Sequence, residues 1–138
     1  MSREEGRRAA RRRAVILLYQ HDVTGLPLED LVQNAERSGE TVGDFARALM
    51  EGASLDRDYL DGVIDEAAEG WTADRMAPLE RNILRVGVHE LLDHPETPEA
   101  VVIAEAVATA QRFCGPDAHR LINGILGRVA REREETTT

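Results

Sequence analysis

Apolar residues recur at helical spacing along nearly the whole of this 138-residue chain, and this feature restricts the possible folds most strongly. Side chains three or four residues apart lie on one face of an α-helix, whereas a half-buried strand requires strict alternation. Ala10, Ala14, Leu17 and His21 form the first such stripe, and no alternating run is found. The pattern therefore predicts an all-α fold.

Prolines, glycines and capping residues divide the pattern into seven predicted helices. We expect Ser54 to cap the fourth helix and Thr97 to cap the sixth. The fifth is apolar around most of its circumference, which predicts a central, buried position. The segment 71–77 is the best candidate for a boundary between an N-terminal half, about 1–70, and a C-terminal half, about 78–135. The predicted helices cover residues 7–21, 27–37, 42–53, 54–69, 78–92, 98–113 and 116–133.

Composition indicates a single cytoplasmic domain. Hydrophobic residues make up 42% of the chain, which is enough for a core without disulfide bonds. The one cysteine, Cys114, suits a reducing compartment. The sequence shows neither a signal peptide nor an apolar run long enough to span a membrane.

Charge is distributed unevenly along the chain. The net charge is −9, and all seventeen basic residues are arginines. Residues 1–13 carry six arginines against two glutamates, a net of +4, whereas residues 14–75 carry four arginines against fourteen acids, a net of −10. Guanidinium groups pair with phosphates and stack on bases. From charge alone, the first helix is either a local RNA-contacting surface on an acidic body, or a solvated basic helix end or a helix that pairs with acidic groups of a partner.

Signatures of catalysis and of metal binding are not found in the sequence. It has no glycine-rich phosphate loop, no nucleophile elbow and no dinucleotide fingerprint, so we expect a binding protein without a cofactor. His89 and His94 are five residues apart, which is poor spacing for one helix face, and no metal site is predicted. Cys114 near His119 could be a nucleophile, although packing at a helix junction is favoured.

Two glycines inside predicted helices require an explanation, because glycine there costs about 1 kcal/mol relative to alanine. Close packing between helices is the simplest reason for Gly87. For Gly124, which follows Asn123, either close packing or the approach of a partner would account for the residue.

Several segments together resemble the NusB family of bacterial transcription antitermination factors, in order and spacing from about residue 7 to residue 130. The segments are Arg7-Arg8-Ala9-Ala10-Arg11 with Ala14-Val15 and Leu18-Tyr19; Tyr59-Leu60-Asp61; Glu80-Arg81-Asn82-Ile83-Leu84-Arg85 with His89-Glu90-Leu91; Val102-Ile103-Ala104-Glu105-Ala106-Val107; and Phe113, Asp117-Ala118-His119 and Asn123-Gly124-Ile125-Leu126.

This resemblance implies a seven-helix, NusB-like fold made of two small helical bundles packed together. It also implies a factor that binds the boxA element of ribosomal RNA leader transcripts. In that family the factor binds as a heterodimer with the ribosomal protein NusE. The complex joins the RNA polymerase elongation complex with other Nus factors and promotes processive rRNA transcription.

The resemblance also implies which residues contact RNA. The arginine motif of the family falls on Arg7, Arg8 and Arg11, with Tyr19 as the aromatic residue of that helix. Arg12 is added because it shares a helix face with Arg8 and Tyr19. Arg85, like Glu90 and Asn123, could equally be structural. The other RNA-side positions of the family fall on Glu80, Arg85, Phe113, Asp117 and Arg120.

Two alternative functions remain open at this point. The chain could be a stand-alone scaffold or a homodimer whose main role is protein–protein interaction. NusB-like domains also occur fused to rRNA cytosine methyltransferases, but a catalytic role would require a separate chain here. The sequence does not determine the preferred RNA, the oligomeric state or the helices that face NusE.

Overall fold

The computed structural model describes the backbone of residues 3–137 and the side chains of residues 6–135. In this part of the chain the regular structure is helical throughout, as predicted. The elements are α1 (Arg3–Thr24), α2 (Leu28–Arg37), α3 (Asp44–Leu55), α4 (Arg57–Ala67), a 3₁₀ turn (Ala73–Arg75), α5 (Pro78–Asp93), α6 (Glu99–Phe113) and α7 (Ala118–Thr137).

Helix α5 lies at the centre of the molecule, which confirms the prediction. All residues from 82 to 91 are buried, and α5 contacts α1, α3, α4, α6 and α7. Because these five helices surround α5, its apolar side chains pack against neighbours on all of its faces. Gly87 has a packing role: a Cβ there would lie 3.0 Å from a methyl group of Leu126 on α7. Glycine thus permits a close approach of the two helices.

Helix α4 packs mainly against helices that follow it in the chain. Helices α1, α2 and α3 pack together, whereas α4 contacts α5 and α7 more extensively than it contacts α3. By packing, the helices therefore group as α1–α3 and α4–α7, with α5 in contact with both groups. A boundary in the connector 71–77 stays a prediction.

Two predicted caps are wrong. Ser54 lies inside α3, which continues to Leu55, and the residue before α4 is Asp56. Pro98, and not Thr97, precedes the first residue of α6. The Thr97 hydroxyl instead accepts a hydrogen bond from Nη1 of Arg7 at 3.4 Å. Proline presets the φ angle of the residue that leads into α6, and its side chain has no atom that could accept a hydrogen bond from the first N–H groups of the helix.

A network of charged side chains joins α1 to α5 and α4. Asp22, near the end of α1, accepts two hydrogen bonds from Arg81, at 2.6 and 2.7 Å, and one from Arg85 at 3.1 Å. Arg85 also donates to both carboxylate oxygens of Asp61 on α4, at 2.7 and 2.8 Å. Asn82 completes the network by donating to Asp22 at 2.9 Å. These hydrogen bonds therefore link α1, α5 and α4 to one another.

Hydrogen bonds from Arg81 and Asn82, with the positive charges of Arg81 and Arg85, hold the pKa of Asp22 far below its ordinary value of 3.8. A carboxyl group with a depressed folded-state pKa stabilises the protein fully above its unfolded-state pKa, and this contribution is lost as the pH falls. The network should therefore stabilise the fold at neutral pH and weaken below about pH 4.

We predict that Asp22→Asn lowers the free energy of unfolding at pH 7 by about 3 kcal/mol, because two arginines lose a buried partner. The difference from wild type should shrink as the pH falls below about 4, where the native carboxylate also begins to lose its advantage. Urea denaturation at several pH values measures both effects. Asp30→Asn, at an exposed position on α2, is the matched control, and equal effects of the two variants at pH 7 would contradict the prediction.

Candidate nucleic-acid interface

The four arginines of α1 that are predicted to contact RNA lie in three different environments. Arg8 is exposed, Arg7 and Arg12 are half-buried, and Arg11 is buried. These differences follow from helix geometry, since successive residues are about 100° apart around the axis. The arginine-rich segment therefore divides into a surface set and an interior residue, and the four side chains do not act alike.

Arg11 forms a buried ion pair with Glu90 of α5. Its Nε and Nη2 atoms donate to the two carboxylate oxygens at 2.9 and 2.8 Å, and the side chains are 6% and 1% exposed. This bidentate pair places Arg11 in the contact between α1 and α5. This position favours a structural role for Arg11 over the predicted RNA contact, because its charge is already paired inside the protein.

Arg85 is also paired inside the protein. It is buried, and its guanidinium group is shared between Asp22 and Asp61 in the network described above. Of the two interpretations that the sequence left open for Arg85, this position favours the structural one.

Arg7 and Arg8 are positioned by partners outside α1. The guanidinium carbon of Arg7 lies 4.5 Å from the centre of the Phe45 ring of α3, a cation–π geometry. Arg8 donates from Nε to Glu105 of α6 at 2.8 Å, while 55% of its side chain stays exposed. Such an exposed pair contributes at most about 1 kcal/mol, so the contact orients Arg8 without preventing its use by a ligand.

Arg12 and Tyr19 lie two helical turns apart on the same side of α1, and both are half-buried. Among the residues whose side chains are described, no acid forms an ion pair with Arg12. Val15, which lies between them on α1, is 3% exposed and faces the core. Arg12 and Tyr19 are thus partly accessible to solvent, whereas Val15 packs into the core.

A shallow groove runs between α1 and α6, with α5 as its floor. Val15 of α1, Ile83 and Val86 of α5, and Val102 and Thr109 of α6 line it. Glu105, which accepts the hydrogen bond from Arg8, also lines the groove. The groove therefore combines mainly apolar lining with the charged side chains of Arg11, Glu90 and Glu105.

The remaining predicted residues belong to one end of the molecule. The carboxylate of Glu80, in the first turn of α5, raises the pKa of the Cys114 thiol, although burial is the larger cause. Glu80 is therefore close to the junction of α6 and α7, where Phe113, Asp117 and Arg120 are exposed. Because Asp22 of α1 pairs with Arg81 of α5, the end of α1 that carries Tyr19 lies against this same start of α5.

Phe113 is 43% exposed and stacks with its neighbour Arg112, whose guanidinium carbon lies 5.3 Å from the ring centre. An exposed aromatic ring beside a cation is a suitable surface for a nucleic-acid base.

The raised pKa of Cys114 keeps its thiol protonated at neutral pH, which disfavours a nucleophilic role.

Helical packing does not account for Gly124. A Cβ at this position would meet no atom within 4 Å, and both Asn123 and Gly124 are exposed on α7. Close packing between helices is therefore excluded as the reason for this glycine, and the approach of a partner is the remaining explanation of the two.

Several residues that shape this surface were missed in the sequence. Glu105 and Phe45 hold the α1 arginines, and neither forms a local motif with them because each lies on a different helix. The sequence contains a weak signal that Asp22 faces α5, because it follows Arg11 by eleven residues and therefore lies on the same face of α1. Contacts between distant segments of the chain are the information that a helical pattern lacks.

Known proteins match this chain over nearly its full length. A model described as the NusB family matches residues 8–131. A transcription antitermination protein NusB of Salinispora arenicola is 41% identical over 128 residues, covering 90% of this chain and 94% of the relative. The corresponding protein of Rubrobacter xylanophilus is 38% identical over 120 residues, covering 87% and 86%.

Solved structures show the same fold. NusB of T. maritima superposes with a TM-score of 0.84 at 28% identity, covering 96% of this chain and 97% of that one. A chain from a crystal structure of the antitermination factors NusB and NusE in complex with dsRNA gives a TM-score of 0.81 at 25% identity, covering 91% of this chain and 96% of that one.

None of the helices in the described part of the chain combines the length and the apolar character that a membrane-spanning segment requires.

We predict that the interior and surface arginines of α1 differ sharply in their effect on stability. Arg11→Met should lower the free energy of unfolding by about 3–5 kcal/mol, because Glu90 is left buried and unpaired. Arg12→Met should change it by less than about 0.5 kcal/mol. Urea denaturation measures both.

The double variant Arg11→Met with Glu90→Leu is the decisive control. It removes both charges, so most of the lost stability should return. Equal stabilities of the Arg11→Met and Arg12→Met variants would show that Arg11 is not part of the interior.

Proposed function

The chain belongs to the NusB family, and from this membership we propose that it is a transcription antitermination factor that binds boxA RNA together with NusE. The relatives named as antitermination proteins support this proposal, as does the structural match to a complex of NusB, NusE and dsRNA. The observation that carries it is the family match over residues 8–131. This match includes Arg8 and Arg12 of α1.

The proposed RNA surface runs from Arg7, Arg8 and Arg12 on α1, past Tyr19, to the junction of α6 and α7. The arginines neutralise phosphates and set the orientation of the RNA. Tyr19 and Phe113 supply ring faces for unstacked bases, the usual mode of recognition of single-stranded RNA. Arg11 and Arg85 act indirectly, because they hold α1 and α4 against α5.

Glu80, Asp117 and Arg120 provide the polar part of this surface. Carboxylates accept hydrogen bonds from the exocyclic amino groups of bases, and such contacts favour particular bases. Arg120, exposed beside Asp117 at the start of α7, adds a phosphate contact. Selectivity therefore comes from the end of the molecule where α5, α6 and α7 meet, and electrostatic attraction comes mainly from α1.

NusE is the proposed protein partner, and the pair joins the RNA polymerase elongation complex with other Nus factors to promote processive rRNA transcription. We place this work in the cytoplasm and assign the chain no catalysed reaction. Sharing one RNA between two proteins raises affinity through effective concentration. A stand-alone scaffold or a homodimer would instead show RNA affinity that is unaffected by NusE, and light scattering with and without NusE reports the oligomeric state.

We predict that Arg8→Ala and Arg12→Ala each weaken binding of a boxA RNA, with little effect on folding. For single-stranded RNA, each lost phosphate contact should reduce the slope of log affinity against log salt concentration by about 0.7. Fluorescence anisotropy across a salt series, with and without NusE, measures the slope.

Arg57→Ala is the matched control, since Arg57 is an exposed arginine at the start of α4, outside the proposed surface. It should leave the affinity and the slope unchanged. If Arg57→Ala and Arg8→Ala weaken binding equally, the RNA is attracted without a defined site and the proposal fails.

We further predict that Phe113→Leu weakens RNA binding through lost stacking, which is worth about 1–3 kcal/mol per base. The salt slope should stay unchanged, because no charge is removed. Trp71→Leu, at another exposed aromatic residue in the connector, is the control and should bind as wild type does. A change in slope, or an equal loss in both variants, would contradict a stacking role for Phe113.

A further inference from the structure

Three side chains that can ligate a metal ion meet at the end of α5 opposite to Glu80. His89 and Asp93 lie one turn apart near the end of α5, and Asp56 lies at the junction of α3 and α4. One ligand atom of each residue lies within 4.8 Å of the ligand atoms of the other two. We propose that Asp56, His89 and Asp93 form a binding site for a divalent transition-metal ion of the Zn²⁺ type.

The imidazole of His89 is the main support for this site. Its side chain is 6% exposed, and its Nδ1 atom lies 3.0 Å from Oδ2 of Asp93. The orientation does not meet hydrogen-bond geometry, however, and Nδ1 is buried without a hydrogen-bond partner. Buried polar atoms are nearly always satisfied. A metal ion between the nitrogen and the carboxylate would satisfy both groups at once.

Gly52 of α3 determines where this ring lies. A Cβ at position 52 would overlap the His89 ring, with Cε1 and Nε2 as the nearest atoms. The ring edge that carries Nε2 therefore packs on the α3 backbone, and Nδ1 is the nitrogen turned to Asp93. Only glycine at position 52 leaves room for this arrangement, so the fold contains a prepared place for the imidazole.

The two carboxylates are available as ligands. Asp56 precedes α4, yet its side chain makes no capping hydrogen bond, and Asp93 is 52% exposed. Zn²⁺ binds nitrogen and carboxylate oxygen at about 2.0–2.2 Å, and adjacent ligands at that distance lie about 3 Å apart, as Nδ1 and Oδ2 do here. Water would complete the coordination, because both acids face solvent.

The chemistry of the ligand set selects the class of ion. One imidazole and two carboxylates suit Zn²⁺ and its neighbours Co²⁺ and Ni²⁺ better than Ca²⁺ or Mg²⁺, which prefer oxygen alone.

His94 lies close to this site but is engaged elsewhere. Its ring meets the His89 ring edge-on at 5.3 Å between centres, and its Nδ1 lies 3.1 Å from a carboxylate oxygen of Glu96. The site therefore has three protein ligands. A bound ion would tie the α3–α4 junction to the last turns of α5, next to the Glu90 that holds Arg11.

Isothermal titration of the untagged, EDTA-treated chain with ZnCl₂ tests the proposal, and Co²⁺ absorption spectra report the ligand geometry. We expect saturable binding of one ion per chain and a higher melting temperature with Zn²⁺. Asp56→Asn and Asp93→Asn should each weaken binding at least about tenfold, since even outer-shell changes at metal sites cost 10–100-fold. Both positions are exposed, so these variants should fold.

Asp58→Asn and His94→Gln are the matched controls, because one removes a neighbouring exposed acid and the other a neighbouring imidazole. Both should bind Zn²⁺ as wild type does. Absence of saturable binding would overturn the proposal, as would equal losses in Asp58→Asn and Asp56→Asn or a tenfold loss in His94→Gln. None of these results tests the proposed RNA binding, because Asp56, His89 and Asp93 are not among the proposed RNA-contacting residues.

Discussion

The buried ion pair between Arg11 and Glu90 is the interaction on which the arrangement of the other helices depends most directly. Two charges removed from water must be paired with good geometry, or the fold pays several kcal/mol. The bidentate contact, with distances of 2.9 and 2.8 Å, meets this condition. It sets the rotation of α1 about its axis, because only one rotation brings Arg11 to Glu90.

The same rotation determines which arginines face the solvent. With Arg11 turned toward α5, Arg8 and Arg12 lie on the accessible side of α1 and Arg7 lies over Phe45. The second anchor, Asp22 with Arg81 and Arg85, fixes the other end of the helix. The contacts of Arg11 and Asp22 with α5 therefore determine the direction in which the exposed arginines of α1 point.

Helix α5 connects the two proposed sites. Its start carries Glu80, beside the junction of α6 and α7, and its last turns carry His89 and Asp93. Between them lies a segment that is buried on all sides. A stabilising ion at one end would therefore act on the same helix that orients the proposed RNA surface, through the adjacent residues His89 and Glu90.

The sequence by itself determined the helices, because apolar spacing, prolines and glycines are local signals: the bounds of α5 and α6 agree with prediction to within a residue. The resemblance also identified the family, since order and spacing hold along the chain. Only the tertiary structure decided that Arg11 and Arg85 are interior, that Gly124 has no packing partner, and that His89 meets Asp56. Each of these depends on contacts between segments far apart in sequence, where the burial of a charge or the space around a ring is set by a neighbouring helix and leaves no periodic trace.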